Sequence, residues 1–475
     1  MDLPNKRVGG GPRAGQRRER TDAGLKPRIL GLESEYGLTC MRGGTRQLSP
    51  EDVARYLFRL DLPGARTSNI FLENGGRLYL DMGAHPEYAT PECDDPRDVI
   101  VYDKAGERIL QVLMAQCEAR LREHGVGGAV ILFKNNTDSV GNSYGCHENY
   151  LVSRTVSLQR LAEVLTPFLV TRQIFAGAGK VLQTPGGFRY CLSQRAEHIC
   201  QDVSGSTTSA RSIINTRDEP LADPERYRRL HLILGDSNMS EVAGYLKVAT
   251  TALVLDMIED GFFDGELSLD HPVHALRVIS RDPALREPIR LKSGRSMTAL
   301  ELQMAYLDHA AGYAQRVGTD AATKDVLARW ADTIARLESD PWALDREVDW
   351  VIKRNWLERY MGRHGLAWTD SRVRLMDLQY HDLRPDRGIY NRLASRAHVE
   401  RITDDVAIEV ATRVPPQTTR ARLRGAFVRQ AKAKGRDYRV DWTYLKLSGT
   451  ECRTVQCTDP FKADDEDIER MIRSL

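Results

Sequence analysis

The segment RLYLDMGAHPEYATPE, residues 77–92, limits the possible folds more than any other part of the chain. Its first half alternates with the two-residue period of a β-strand. Leu78, Leu80 and Met82 fall on one face, and Arg77, Tyr79 and Asp81 on the other. The apolar side requires a core. The opposite side carries a guanidinium, a phenol and a carboxylate, and Glu87 follows just past the Gly-Ala-His-Pro turn. A strand of this kind belongs in a sheet packed on one face, as antiparallel and mixed sheets are. Taken alone, a solvated sheet surface accounts for the polar side. Other segments decide whether it carries chemistry.

The segment GLESEYG (31–37) supplies the first of them. Glu33 and Glu35 stand two residues apart on a strand and so project from one face, where their charges repel unless a cation intervenes. With Glu87, Asp81 and Tyr79 they form a set of hard oxygen ligands without a histidine cluster. That points to Mg²⁺ or Mn²⁺, and magnesium commonly arrives with nucleotide phosphates that Arg77 could meet. An edge strand with solvated acids is the plainer reading. His147 and His231, each in a strand-like segment, read individually as structural hydrogen-bonders. Arg195 and Arg217 either reach phosphates or pair with neighbours such as Glu197 and Asp218.

The order of elements reads as α+β. Strands are expected over 28–39, 77–82, 143–154, 187–199, 211–218 and 228–236, and 127–138 reads as a buried strand running into a polar loop. Helices are expected over 49–60, 95–125 and 157–177, with Ser49 and Ser157 as caps and Gly125 as a stop. From 241 to about 375 the pattern is mostly helical. The apolar run 248–258 is too short to span a bilayer and reads as a buried helix.

Two nucleotide motifs are absent. AGAGKV (176–181) has Ile174 where a P-loop needs its first glycine and Val181 where it needs Ser or Thr, and no GxGxxG separates a strand from a helix. The eight cysteines are scattered without a C-x-x-C pair. With no apparent signal peptide, this reads as a reducing, cytoplasmic setting without structural metal.

The net charge of +2 conceals two basic regions. Residues 1–28 carry eight Lys/Arg against three acids, a local +5, and read as a disordered tail rather than a nucleic-acid-binding arm. Residues 418–447 carry nine Lys/Arg against Asp437 and Asp441, a local +7, and read either as a solvated helix face or as a surface for an acidic partner. Trp442 is either a core residue or a stacking surface for adenine.

GLESEYG, RLYLDMGAHPEYATPEC, FKNNTDSVGNSYGCHENYL, LSQRAEH, IINTRDEPLADPERYRRLHLILGDSNMSE and PPQTTRARLRGAF together resemble the Pup–protein ligase (PafA) family, from about Arg28 to the C-terminus. The resemblance implies a glutamine-synthetase-like catalytic domain over 28–405, with a mostly antiparallel sheet cradle packed by helices, a small C-terminal domain over 406–475, and a tail at 1–27 outside the family pattern. It implies ATP-dependent attachment of the acidic modifier Pup, through its C-terminal glutamate side chain, to lysine-bearing proteins that are thereby marked for proteasomal degradation. By resemblance Glu33, Tyr79 and Glu87 hold Mg²⁺, Asp81 is the catalytic aspartate, and Arg77, Thr90 and Trp442 contact ATP. Glu35 is a further metal carboxylate by strand geometry. No membrane partner is expected. The depupylase Dop shares the fold and the aspartate, but it carries a long insert between the two carboxylate strands that the 35–77 interval here cannot hold. A small-molecule glutamate ligase and a non-catalytic scaffold are the alternatives from other classes.

Overall fold

The computed structural model describes residues 26–58, 69–81, 83–138, 141–184, 186–205, 211–216, 218–263, 266–448 and 452–475. Most of the expected tail, together with Met82 and Arg217, lies outside them.

The single strand expected over 28–39 is two: β1 (Leu30–Glu35) and β2 (Gly37–Arg42). The break falls at Tyr36, whose N–H turns to Pro86 O at 2.9 Å. There the chain leaves one sheet for another, and side-chain alternation carries no signal of such a switch. β2 pairs with the short polar β3 (Thr45–Leu48) and with β7 (Ala129–Phe133) in a three-stranded sheet. Between them helix α1 (Pro50–Leu57) starts as its sequence dictates: the Ser49 hydroxyl accepts from Asp52 N–H and Pro50 fills the first turn.

β4 (Asn69–Phe71) precedes the hairpin of β5 (Arg77–Asp81) and β6 (His85–Ala89), whose turn places Gly83 and Ala84 in the left-handed region. Helix α2 (Pro96–Glu123), capped by Asp95 and ended before Gly125 at φ 75°, covers the apolar side of this part of the sheet. β8 (Cys146–Ser153) follows. Next come α3 (Leu158–Thr171), capped by Ser157, α4 (Gln173–Ala176), and the ribbon of β9 (Lys180–Thr184) with β10 (Gly187–Cys191). The strand expected to continue to 199 stops at Cys191. Beyond it the backbone N–H groups of Gln194 and Arg195 bond the buried Asp236 carboxylate instead of a neighbouring strand.

β11 (Gln201–Ser204), β12 (Ser212–Asn215) and β13 (Tyr227–Leu232) complete an eight-stranded sheet of order β11-β12-β13-β8-β1-β6-β5-β4. It is antiparallel throughout except for β11 with β12. Its apolar side packs on α2, α3 and α5 (Glu241–Glu259), and α5 is buried on nearly all sides. From 272 to 411 the described chain is mostly helical, as expected as far as about 375, with the helices Ile389–Ala394 and Asp405–Ala411 beyond it. The last part forms a helix (Ala421–Ala433), three antiparallel strands (Tyr438–Val440, Tyr444–Leu447, Arg453–Gln456) and a final helix (Glu466–Arg473) around a small core of Leu423, Phe427, Leu445, Cys457, Ile468 and Met471. The α+β class with a largely antiparallel sheet is as the sequence led us to expect. Among the described residues no helix is long and apolar enough to cross a membrane.

Candidate active site

Residues directly opposed across antiparallel strands share a face. The register therefore assembles the polar side of the sheet. Glu35 stands opposite Glu87, and Glu87 opposite Tyr79. Glu33 stands opposite His147 on one side and Ala89 on the other, and Ala89 opposite Arg77. Asp81 pairs with His85, and His231 with Asn149. Glu33, Glu35, Arg77, Tyr79, Asp81, Glu87 and Trp442 all line one wide cleft. Thr90 lies one step away. It lines an adjoining, mainly apolar recess of about 570 Å³ that shares Glu33, Arg229 and Trp442 with the cleft, and its hydroxyl accepts Leu32 N–H at 3.1 Å.

The carboxylates are not equivalent. Glu33 accepts from Asn149 Nδ2 at 3.0 Å, with His147 Nδ1 at 3.6 Å and Arg229 at 3.7 Å. Burial pushes its carboxyl up, but His147, His231 and Arg229 outweigh that and hold it well below the usual range. Glu35 accepts Gly145 N–H at 2.9 Å. Burial, reinforced by the charges of Glu33 and Glu35, pushes the Glu87 carboxyl well above its usual range. The Tyr79 phenol is likewise pushed up by burial and by Glu33 and Glu87, so it stays protonated and offers a neutral oxygen. Arg77 donates to Asn69 Oδ1 at 2.6 Å and lies over the Tyr79 ring at 4.2 Å.

Glu35, Asp81 and Glu87 each bring one oxygen within 4.8 Å of the others, and Glu87 Oε1 is buried without a hydrogen-bond partner among the described residues. An orphaned acceptor in a cluster of repelling carboxylates fits a hard divalent cation. The expected absence of a histidine cluster does not hold. Glu33, His147 and His231 form a second group of potential ligands within 4.8 Å, with the two imidazoles edge to face at 4.9 Å. Each histidine looks isolated in its own strand, and only the pairing of β8 with β1 and β13 brings them together. Arg229 was also missed, although it alternates with His231 on β13. Arg195 does not pair with Glu197, which binds Arg281 at 2.7 Å. It donates to Ser143 Oγ and to the Tyr144 and Ile233 carbonyls, on the cleft wall.

The basic C-terminal stretch is less of a surface than its charge suggests. Arg420 and Arg424 are buried on Glu92, which follows β6. Trp442 is half-buried, edge to face with Phe71 at 5.1 Å and beneath Arg424 at 4.7 Å. Burial pushes the Glu92 carboxyl up, but Arg424 and Arg420 draw it down to about 2 from 4.5. Its contribution is therefore full above the unfolded value and lost as pH falls through the folded one. The shift corresponds to about 3 kcal/mol. The stability gap between the native chain and Glu92→Gln, measured by urea unfolding, should narrow steadily from about pH 6 to about pH 3; a gap that does not change would contradict this.

A sheet that presents carboxylates, imidazoles and guanidinium groups to one deep cleft is the frame of an enzyme handling charged substrates. The chain matches the family described as Pup-ligase protein over residues 28–446. It is 54% identical over 452 residues to the Pup–protein ligase of Actinosynnema mirum, covering 95% of this chain and all of that one. It is also 54% identical over 450 residues to that of Kineococcus radiotolerans, covering 94% and 99%. Among solved structures, the complex between the prokaryotic ubiquitin-like protein Pup and its ligase PafA aligns with TM-score 0.90 at 41% identity, over 94% of this chain and 91% of that one. PafA in complex with ADP aligns with TM-score 0.81 at 41% identity, over 90% and 94%. The chain belongs to the Pup-ligase family.

Proposed function

We propose that this protein is an ATP-dependent ligase that joins the side-chain carboxylate of the C-terminal glutamate of Pup to lysines of other proteins. Its family membership supports the activity, and relatives solved with Pup and with ADP support the two co-substrates. The observation that carries the site is the convergence of Glu35, Asp81 and Glu87 on one cleft. In this reading the Pup carboxylate takes the terminal phosphoryl group of ATP, releasing ADP. A lysine amine then attacks the acyl phosphate, forming the isopeptide bond and releasing phosphate. Asp81, exposed at the end of β5, accepts the proton that the lysine ammonium must lose. Arg77 meets phosphate oxygens, and Thr90 and Trp442 border the recess for the base.

Glu33, Glu35, Glu87 and the neutral Tyr79 oxygen would hold Mg²⁺, which when bound offsets the negative charge of the phosphates. The ligand set can be tested without turnover. Mg²⁺ added to the nucleotide-free chain should raise its Tm, with about 2.7 kcal/mol of stabilisation at a hundredfold excess over Kd. Glu87→Gln should raise the Tm of the metal-free chain by relieving repulsion, and should remove most of the Mg²⁺ response. A Tm unmoved by Mg²⁺ in both proteins would contradict the assignment.

The division into a tail (1–27), a catalytic body (28–405) and a C-terminal domain (406–475) belongs to this proposal, and the separate small core of the last part supports it. To test the activity itself, the chain is incubated with ATP and Mg²⁺ and either Pup with a lysine-bearing acceptor or free glutamate with ammonia or cysteine. Turnover is expected only with Pup. Rapid turnover of the small molecules would overturn the proposal.

A further inference from the structure

The three residues assigned above to ATP sit on three separate segments, and the guanidinium of one buried arginine touches all three segments. Arg424 donates from Nε and Nη2 to Gly75 O, at 3.1 and 2.9 Å, in the turn that leads directly into β5 and Arg77. It binds both oxygens of Glu92, two residues beyond Thr90, with Nη1–Oε1 at 3.1 Å. It lies over the Trp442 ring and donates to Trp442 O at 3.4 Å. The Phe71 ring closes the joint, edge to face with Trp442 and 5.5 Å from the guanidinium. Gly75 is part of the fit. It sits at φ 82°, and a Cβ there would come within 3.0 Å of Ala421 on the helix that carries Arg424.

We infer that Arg424 is a positioning residue that sets Arg77, Thr90 and Trp442 at their working separation around the nucleotide. A planar fork can satisfy the Gly75 carbonyl, the Glu92 carboxylate and an aromatic face at once; an ammonium is a point donor and cannot. Arg420 holds the same Glu92 oxygen but spends its other donors on Leu221, Cys457 and Thr458 carbonyls. It anchors the C-terminal part without reaching Trp442 or the β4–β5 turn. The inference rests on the nucleotide reading of the recess and gives it a mechanical link to the C-terminal part.

The test measures Mg-ADP affinity by calorimetry and, separately, Pup affinity without nucleotide, in the native full chain, Arg424→Lys, Glu92→Gln and Trp442→Ala. Arg424→Lys should weaken Mg-ADP binding at least tenfold while leaving Pup affinity within about twofold, because the fork is lost and the sheet remains. Should that variant fail to fold, Glu92→Gln, which preserves shape, carries the same expectation for the Thr90 side. Equal losses for ADP and Pup would mark a general structural role and overturn the inference, as would unchanged ADP affinity. Trp442→Ala separates the two levels. If it leaves ADP affinity unchanged, the nucleotide reading of the recess falls and the inference with it. If it weakens ADP binding while Arg424→Lys does not, only the inference falls.

Discussion

Asp81→Asn should lower the rate of conjugation by about 10²–10⁴-fold while leaving the fold and Mg-ADP binding intact. A lysine ammonium titrates near pKa ~10.4, so at neutral pH almost every acceptor enters the cleft protonated and cannot attack. Asp81 is exposed where β5 meets the cleft, opposite His85 and with an oxygen near those of Glu35 and Glu87. Of those three clustered carboxylates, the other two are buried. Asp81 alone is open to an incoming side chain. Asparagine keeps the shape and removes the proton acceptor. Single-turnover conjugation at fixed Pup and acceptor concentration reads the effect directly, and a variant as fast as the native protein would remove Asp81 from the chemistry.

The second large effect is on stability. Glu148 lies on β8 between His147 and Asn149, but on the core side of the sheet. Arg172 grips both of its oxygens, with Nη1–Oε2 at 2.9 Å, and Tyr150 donates to Oε2 at 2.7 Å. Glu148→Ala strips the buried guanidinium of its carboxylate partner, leaving it neutral neighbours such as Thr251 Oγ1 and the Lys247 carbonyl. The cost should be about 3–5 kcal/mol, a large part of the stability of a typical protein. A companion change, Arg172→Met, should recover most of it, because the penalty comes from the stranded charge rather than from the lost pair. Urea midpoints of the single and double variants decide this. A double variant no more stable than Glu148→Ala would contradict the argument.

The contrast between Glu148 and its neighbours shows how much the sequence could reveal. Alternation correctly put Arg77, Tyr79 and Asp81 on one side, and Glu33 with Glu35, because a regular strand repeats every two residues whatever surrounds it. Caps at Ser49 and Ser157 were legible for an equally local reason. What could not be read is what pairing decides. His147 and His231 are 84 positions apart and meet only because β8 lies between β1 and β13. Strands such as Thr45–Leu48 and Gln201–Ser204 are short and polar, held by edge pairing rather than by an apolar stripe. The arginines of the C-terminal stretch look like surface charge until Glu92, more than three hundred residues earlier, accounts for two of them. The separate roles of the polar side chains came from the family resemblance, since position on a face does not distinguish a metal ligand from a base.

The most direct test of the central claim is the intact mass of a single-lysine acceptor after incubation with Pup, ATP and Mg²⁺, with ADP followed in parallel. The account predicts an acceptor heavier by the mass of Pup less one water, one ADP released per conjugate, and the same product from Asp81→Asn formed about 10²–10⁴-fold more slowly. Cleavage of a preformed conjugate without any conjugation, or conjugation that proceeds without ATP, would contradict it.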